Sequence, residues 1–401
     1  MERKESLRKA EKRTGGLAAY GLVLLISLFI LTGCGSPGGE AKTESFLERQ
    51  GTAISSQLVY ESTMDLEYAK QFRVDFYQEG YALIRVADGR SYLVIPKGKG
   101  TPTDLEPGIT VLKQPLTNIY MVATAAMDMF CELDALSALR FSSQKAEGWS
   151  REEARAEMEK GNILYAGKYS MPDYELIVSE GCSLAVENNM ISHSPEVIEK
   201  LESFDIPVFI DFSSYENHPL GRVEWVKVYG VLLNSRERAQ ELFASQVEVL
   251  DRVEKKEASG KRVAFFFITT NGMVNVRSSS DYVPKMIELA GGKYAFENLP
   301  EKESSRSSVN MTMEEFYERA READYLIYNS TIDGELLSVE ELLAREEMLA
   351  DFKAVQEGNV WCTTKDLYQQ SMSIGGMIED FHRMLSGEEG TENMQYMYKL
   401  E

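Results

Sequence analysis

Histidine is nearly missing from this chain of 401 residues. The 3 copies, His193, His218 and His382, stand at no helical or hairpin metal-ligand spacing, which argues against a zinc centre built from imidazoles. Each is expected to be structural or solvated. A site made of carboxylates alone stays open, because acidic residues number 64. Cysteine is almost as scarce: beyond Cys34 there are only Cys131, Cys182 and Cys362, too few for a disulfide-stapled scaffold. Each of the three lies in an apolar setting and reads as a small buried hydrophobe. Their odd number leaves at least one thiol free, and one pairing stays open. The chain also lacks Gly-x-Ser-x-Gly, Gly-x-Gly-x-x-Gly after a strand, Gly-x-x-x-x-Gly-Lys-Ser/Thr and His-Glu-x-x-His, the commonest catalytic and nucleotide signatures. With so few histidines, general-base work would fall to carboxylates or lysines.

Basic residues are in deficit too, 43 against 64 acidic, for a formal charge of −21. A chain so acidic is repelled by nucleic acid and by anionic lipid, so a nucleic-acid partner is not expected. The plainest reading is a solvated acidic surface, and no ligand charge is drawn from it.

What is present first is a leader. Arg3, Lys4, Arg8, Lys9, Lys12 and Arg13 precede an apolar run over residues 17–31, which closes on Leu31-Thr32-Gly33-Cys34. A run this short is a leader and not a span, which needs about 20 apolar residues. The small residues before a single Cys are the pattern of a bacterial lipoprotein signal, with Cys34 as the expected lipidation site. Gly-Ser-Pro-Gly-Gly follows Cys34 and supplies a flexible tether. The body is therefore expected at the extracellular face of the cell membrane, held by N-terminal lipid. Cutting before Cys34 removes 6 basic and 3 acidic residues and leaves a charge of −24. The remaining length suffices for two cores of the usual size, about 100 to 200 residues each.

Residues 81–96 carry two β-rich runs around Asp88-Gly89, a strong hairpin signal, so an antiparallel edge is expected to start the first lobe. Apolar strand-like runs then alternate with helical stretches at residues 135–141, 152–160, 174–178, 183–187, 195–204 and 208–211. That alternation predicts a sheet with parallel strands and covering helices. Pro219 suits the first position of a helix reaching residue 233. From a Ser235 cap, Ala239, Leu242, Phe243, Val247, Leu250 and Val253 recur at three- and four-residue steps and predict a helix of about 23 residues, about 34 Å long, ended by Ser259-Gly260. The alternation restarts with the apolar run at residues 262–269, expected of a strand covered on both faces. Helices at 282–290, 313–323, 339–345 and 374–385 and strands at 325–328 and 359–363 follow. The expected fold is α/β: two α/β lobes joined by a single long helix, with a ligand cleft between them. The divisions are a signal peptide at 1–33, a tether at 34–56, a first lobe at 57–234, a linking helix at 235–258 and a second lobe at 259–401.

Three segments are more specific: Pro-Leu-Gly-Arg-Val-Glu-Trp at residues 219–225 with its flanks, Ala166-Gly-Lys-Tyr-Ser-Met-Pro-Asp-Tyr-Glu at 166–175, and Met-Thr-Met-Glu-Glu-Phe at 311–316 with 323–328. Over roughly residues 57–386 the chain resembles the substrate-binding lipoproteins of ABC importers that capture ferric siderophores, haem or cobalamin, the class III periplasmic binding proteins. The proline-led segment looks like the entry to the helix before the linking helix of that family. The resemblance implies two lobes rigidly joined with ligand between them, an ABC permease as partner, no cofactor, no catalysis and a monomer. It also implies one glutamate on each lobe docking into arginine pockets of the permease, carried by motif to Glu175 and Glu314, with Glu315 the alternative to Glu314.

For the cleft, loops after expected strands offer Ser142, Lys168, Tyr169, Asn188, Tyr215 and Arg222 in the first lobe, and Asn271, Asn275, Arg277, Tyr282 and Tyr368 in the second. Aromatic rings and guanidinium groups suit a large planar or catecholate-rich anionic chelate. Most of the 20 tyrosines are nevertheless expected to be packing residues, and Arg222 could equally serve a helix-start salt bridge. The segment at 57–112 is elaborate for the family, and residues 302–310 read as a Ser-rich loop. Two other readings stand beside the receptor: a surface hydrolase using a carboxylate pair in the same cleft, and a receptor of this fold for a bare divalent metal.

Overall fold

The computed structural model describes residues 46–47, 53–299, 307–387 and 391–401. Cys34, the leader and most of the tether lie outside the described residues. No helix among the described residues is long and apolar enough to cross a membrane. Packing begins earlier than expected, because Ile54 and Leu58 are buried against Tyr77, Leu83 and Leu93.

Five strands, Tyr60–Thr63, Phe72–Tyr77, Ala82–Val86, Ser91–Ile95 and Ile109–Lys113, form the first sheet in chain order. The Asp88-Gly89 turn pairs Ala82–Val86 with Ser91–Ile95 antiparallel, as its sequence predicts. This is a sheet of its own and not an edge of the parallel one, which corrects the expected arrangement. Its strands alternate: Val74, Ile84, Tyr92 and Val94 face the main core, while Tyr77, Leu83, Leu93 and Ile95 close the smaller outer cluster. The Tyr92 hydroxyl donates to the Val208 carbonyl at 2.9 Å and ties this sheet to the next.

The second sheet is wholly parallel, in the order Val208–Asp211, Ala185–Asn188, Ile119–Met121, Leu139–Ser142 and Leu164–Tyr165. Chain order runs outward from Ile119–Met121 on one side and then crosses to the other. That reversal opens a crevice at the carboxyl ends of the strands, where ligands settle in such folds. Residues 174–179 form a helix, started by the Asp173 carboxylate accepting from Leu176 N at 3.0 Å.

The motif at residues 219–225 explains itself in the fold. Pro219 opens helix Pro219–Glu224, which His218 caps by accepting from Leu220 N through Nδ1 at 3.2 Å. Glu224 is fully buried and accepts from the backbone N–H of Glu67, Tyr68 and Ala69 at 2.7 to 2.9 Å, with Lys227 Nζ beside it at 2.7 Å. Glu216 likewise accepts from Lys70 N, Gln71 N and Trp225 Nε1. Two buried carboxylates thus satisfy consecutive backbone donors of the segment before Phe72–Tyr77 and seat the first sheet on this helix. Helix Val226–Leu232 continues to the linking helix.

That linking helix spans Arg236–Glu254, 19 residues, and is about 28 Å long at 1.5 Å per residue. It ends before the expected Ser259-Gly260: Val253 is its last buried position, and residues 254–260 are exposed. Ser235 occupies the N-cap position, but its hydroxyl bonds back to the Leu233 carbonyl and not forward into the helix. Ala239, Leu242, Phe243, Leu250 and Val253 form its buried stripe.

The second lobe holds a seven-stranded sheet in the order Ser308–Met311, Val274–Arg277, Arg262–Ile268, Tyr325–Tyr328, Val360–Thr363 and Met397–Lys399, with Lys293–Tyr294 also pairing Arg262–Ile268. Its centre is parallel; Val274–Arg277 and Met397–Lys399 pair antiparallel with that centre, and Ser308–Met311 pairs antiparallel with Val274–Arg277. Residues 302–306 of the expected loop lie outside the described residues, but 308–310 belong to a strand, which corrects that reading. Helices Tyr282–Leu289, Met313–Ala320, Val339–Arg345 and Ile374–Ser386 cover the sheet. One continuous apolar core runs from the first sheet through the linking helix into this lobe. Cys131, Cys182 and Cys362 are all free thiols.

Candidate ligand-binding site

Between the lobes lies a cleft of about 680 Å³. The loops after Ala185–Asn188 and Val208–Asp211 supply its first-lobe wall, with Met190, His193, Tyr215 and Arg222 among the lining residues. The second-lobe wall comes from the end of Val274–Arg277, the start of helix Tyr282–Leu289, and Tyr368.

Arg222 is held with its guanidinium 3.9 Å from the centre of the Tyr282 ring, a cation on a π face, and its Nη1 donates to the Ser214 carbonyl at 3.1 Å. The ring contact joins the lobes, since Arg222 belongs to the first and Tyr282 to the second. Tyr282 is only 4% exposed, so its ring is a fixed platform. Burial raises its phenol pKa well above the ordinary value, and the hydroxyl stays neutral. Tyr215 is 51% exposed and stacks on Phe212 with ring centres 5.0 Å apart, presenting a free face.

Arg277 is engaged differently. Its Nε and Nη2 grip the Asp281 carboxylate at 2.9 and 2.5 Å, the forked geometry in which a guanidinium and a carboxylate bind most strongly. The Asp281 carboxylate also caps the following helix by accepting from Val283 N at 3.1 Å. Burial works against the Arg277 charge, yet Tyr368 and Asp281 outweigh it and hold the guanidinium's pKa above its usual value. Tyr368 lies 5.5 Å from Arg277 ring-centre to guanidinium, and its hydroxyl accepts from Asn329 Nδ2 at 2.9 Å.

The structure therefore brings Tyr215, Arg222, Arg277, Tyr282 and Tyr368 into one cleft. It does not bring the others. Ser142 is fully buried, its hydroxyl accepting from Trp149 Nε1 at 2.9 Å and donating to the Gln144 carbonyl, so it is spent inside the lobe. Asn188 caps the next turn by accepting from Met190 N, just short of the cleft. Lys168 and Tyr169 sit on the small hairpin formed by Gly167–Lys168 and Met171–Pro172, where Tyr169 packs on the second apolar cluster. Asn271 lies in the exposed turn after Thr269, whose hydroxyl donates to it at 2.5 Å. Asn275 donates across the strand pair to Asn310 Oδ1 at 2.7 Å. Ser142, Lys168, Asn188 and Asn275 belong to strands and not to the expected loops, and the direction of the side chain was legible for none of the six. Asp281, Met190 and His193 were missed as lining residues, although an Asp directly before an apolar-periodic run is a readable cap signal.

Glu175 and Glu314 are both exposed in the first turns of helices Tyr174–Ser179 and Met313–Ala320. Glu315, the alternative, pairs with Arg319 at 3.0 Å. Among the described residues no group of three or more His, Cys, Asp or Glu is placed to hold a metal ion.

The profile of the periplasmic binding protein family matches residues 144–367, more than half of the chain. An uncharacterised lipoprotein of Methanocaldococcus jannaschii is 24% identical over 400 residues, covering 94% of this chain and 98% of its own. The petrobactin-binding protein of Bacillus subtilis superimposes with a TM-score of 0.56 at 12% identity, covering 77% of this chain and 99% of that one. The periplasmic haem-binding protein of Vibrio cholerae gives 0.54 at 17% identity, with 66% and 97% covered. With its helix-linked α/β lobes and the cleft between them, the chain belongs to the periplasmic binding protein family.

Proposed function

We propose that this protein is the substrate-binding lipoprotein of an ABC importer. It captures an iron chelate, a siderophore or haem, or a cobalamin-like ligand between its lobes and delivers it to the permease without catalysis. The observation that carries this reading is the cleft's make-up: a guanidinium on a tyrosine ring, with two further tyrosines at its rim. Such a surface grips a large, partly planar ligand by stacking and point charge, with no group poised for chemistry. Among the described lining residues the carboxylates, Glu216 and Asp281, are committed to backbone amides and to Arg277, which speaks against a carboxylate pair for hydrolysis.

Glu175 and Glu314 are the proposed permease contacts. Exposed carboxylates on separate lobes give a two-point, charge-assisted grip that orients the receptor on its partner. In cells supplied with a chelate that the purified protein binds, Glu175→Ala with Glu314→Ala should cut uptake about tenfold or more while affinity in solution stays unchanged. Undiminished uptake would remove both residues from the contact. Loss of affinity would move them to the ligand site.

A further inference from the structure

The two arginines of the cleft are chemically unequal. Arg277 is paired in a fork with Asp281, a carboxylate whose side chain is 5% exposed, so the pair meets a ligand as a nearly neutral unit. Arg222 has the Ser214 carbonyl and the Tyr282 ring as its contacts, and it keeps its charge for the cleft. The lining carries one more acid, Glu216, held by backbone donors. Of the two guanidinium groups in this cleft of about 680 Å³, only that of Arg222 meets a ligand without a carboxylate partner in a fork.

We infer that this site selects chelates of low net charge, and that Asp281 is the specificity-determining residue, because it withdraws Arg277 from the ligand. This rests on the proposed receptor function and narrows its ligand class. Three singly charged hydroxamates cancel a ferric ion and give a neutral complex, whereas three doubly charged catecholates leave it triply anionic. Seating a triply anionic ligand in a partly desolvated cleft demands several cationic partners. Here the second guanidinium is already taken. The catecholate-rich ligand that the arginines suggest in the sequence is thus disfavoured by their pairing.

The test is a titration of the purified protein with ferrichrome, a neutral ferric trihydroxamate, and with ferric enterobactin, a tris-catecholate, followed by quenching of intrinsic fluorescence. The wild type should bind ferrichrome about tenfold tighter or more. Asp281→Asn keeps a residue that caps helices well and frees Arg277, so it should shift the ratio toward the tris-catecholate by about tenfold. Arg277→Gln combined with Asp281→Asn removes both charges and should retain the wild-type preference even if the single variant folds poorly. A wild type that prefers the tris-catecholate, or an unchanged ratio in Asp281→Asn, would overturn the inference and leave the receptor function standing. No binding of either chelate, of haem or of cobalamin by the wild type would overturn both.

Discussion

Glu187 is fully buried, and neither of its carboxylate oxygens has a hydrogen-bond partner. It stands on strand Ala185–Asn188, beside Ile210 in register and among apolar neighbours such as Tyr120 and Val208. Burial pushes its pKa up to about 8, so the folded chain favours the protonated acid. Because the folded value lies above the unfolded one, the stabilising contribution is complete below the ordinary carboxylate range and is lost as pH rises toward 8. Near pH 7 the penalty is on the order of 3 kcal/mol. Glu187→Met, of similar size and apolar, should therefore stabilise the protein at pH 8 and gain much less at pH 5, as read by urea unfolding. Equal gains at both values would contradict this assignment. The same distinction between residue type and surroundings governs the cleft. Tyr215, Arg222, Tyr282 and Tyr368 were legible as candidates because they come after recognisable strands; Arg277 was chosen as a loop residue but lies on strand Val274–Arg277. Ser142 was equally well placed along the chain, yet its side chain turns toward Trp149, and one-dimensional pattern carries no such direction.

At the level of elements, the linking helix is gripped by glycines on both sides. A Cβ at Gly230 would stand 2.5 Å from the Ala239 Cβ, and one at Gly375 would stand 3.0 Å from the Val249 Cβ and 2.9 Å from Gln246 Oε1. Helix Val226–Leu232 and helix Ile374–Ser386 can thus lie close against it, one from each lobe. Gly230→Ala should cost about 1 to 3 kcal/mol in thermal or denaturant unfolding, because an added methyl group has no room without moving a helix. An unchanged midpoint would show that the helices are looser than this packing implies. Strongly periodic or uniformly apolar stretches were readable: the linking helix, Arg262–Ile268, Tyr325–Tyr328 and Val339–Arg345 all follow from period and composition. Val274–Arg277, Ser308–Met311 and Met397–Lys399 were not, since these short strands run along the flanks of the sheet and mix polar with apolar residues. Their pairing comes from partners far away in the chain.

Across the whole molecule, both lobes share one core and are stitched together around the cleft. Met372 N donates to Asp128 Oδ2 at 2.7 Å, and Gln369 accepts from Ser150 N at 3.0 Å while donating to the Gly148 carbonyl at 2.9 Å. These bonds and the Arg222–Tyr282 contact tie the two lobes to each other. The layout of two lobes on one helix was visible in the sequence; their sharing of a single core was not, because it depends on which faces of distant helices meet. The most direct test is native mass spectrometry of the purified protein mixed with ferrichrome, haem or cobalamin, alongside Arg222→Ala with Tyr282→Ala. The wild type should retain one ligand mass per chain, and the folded double variant should lose it. Retention of the same mass by the double variant, or none by the wild type, would contradict a ligand site between the lobes.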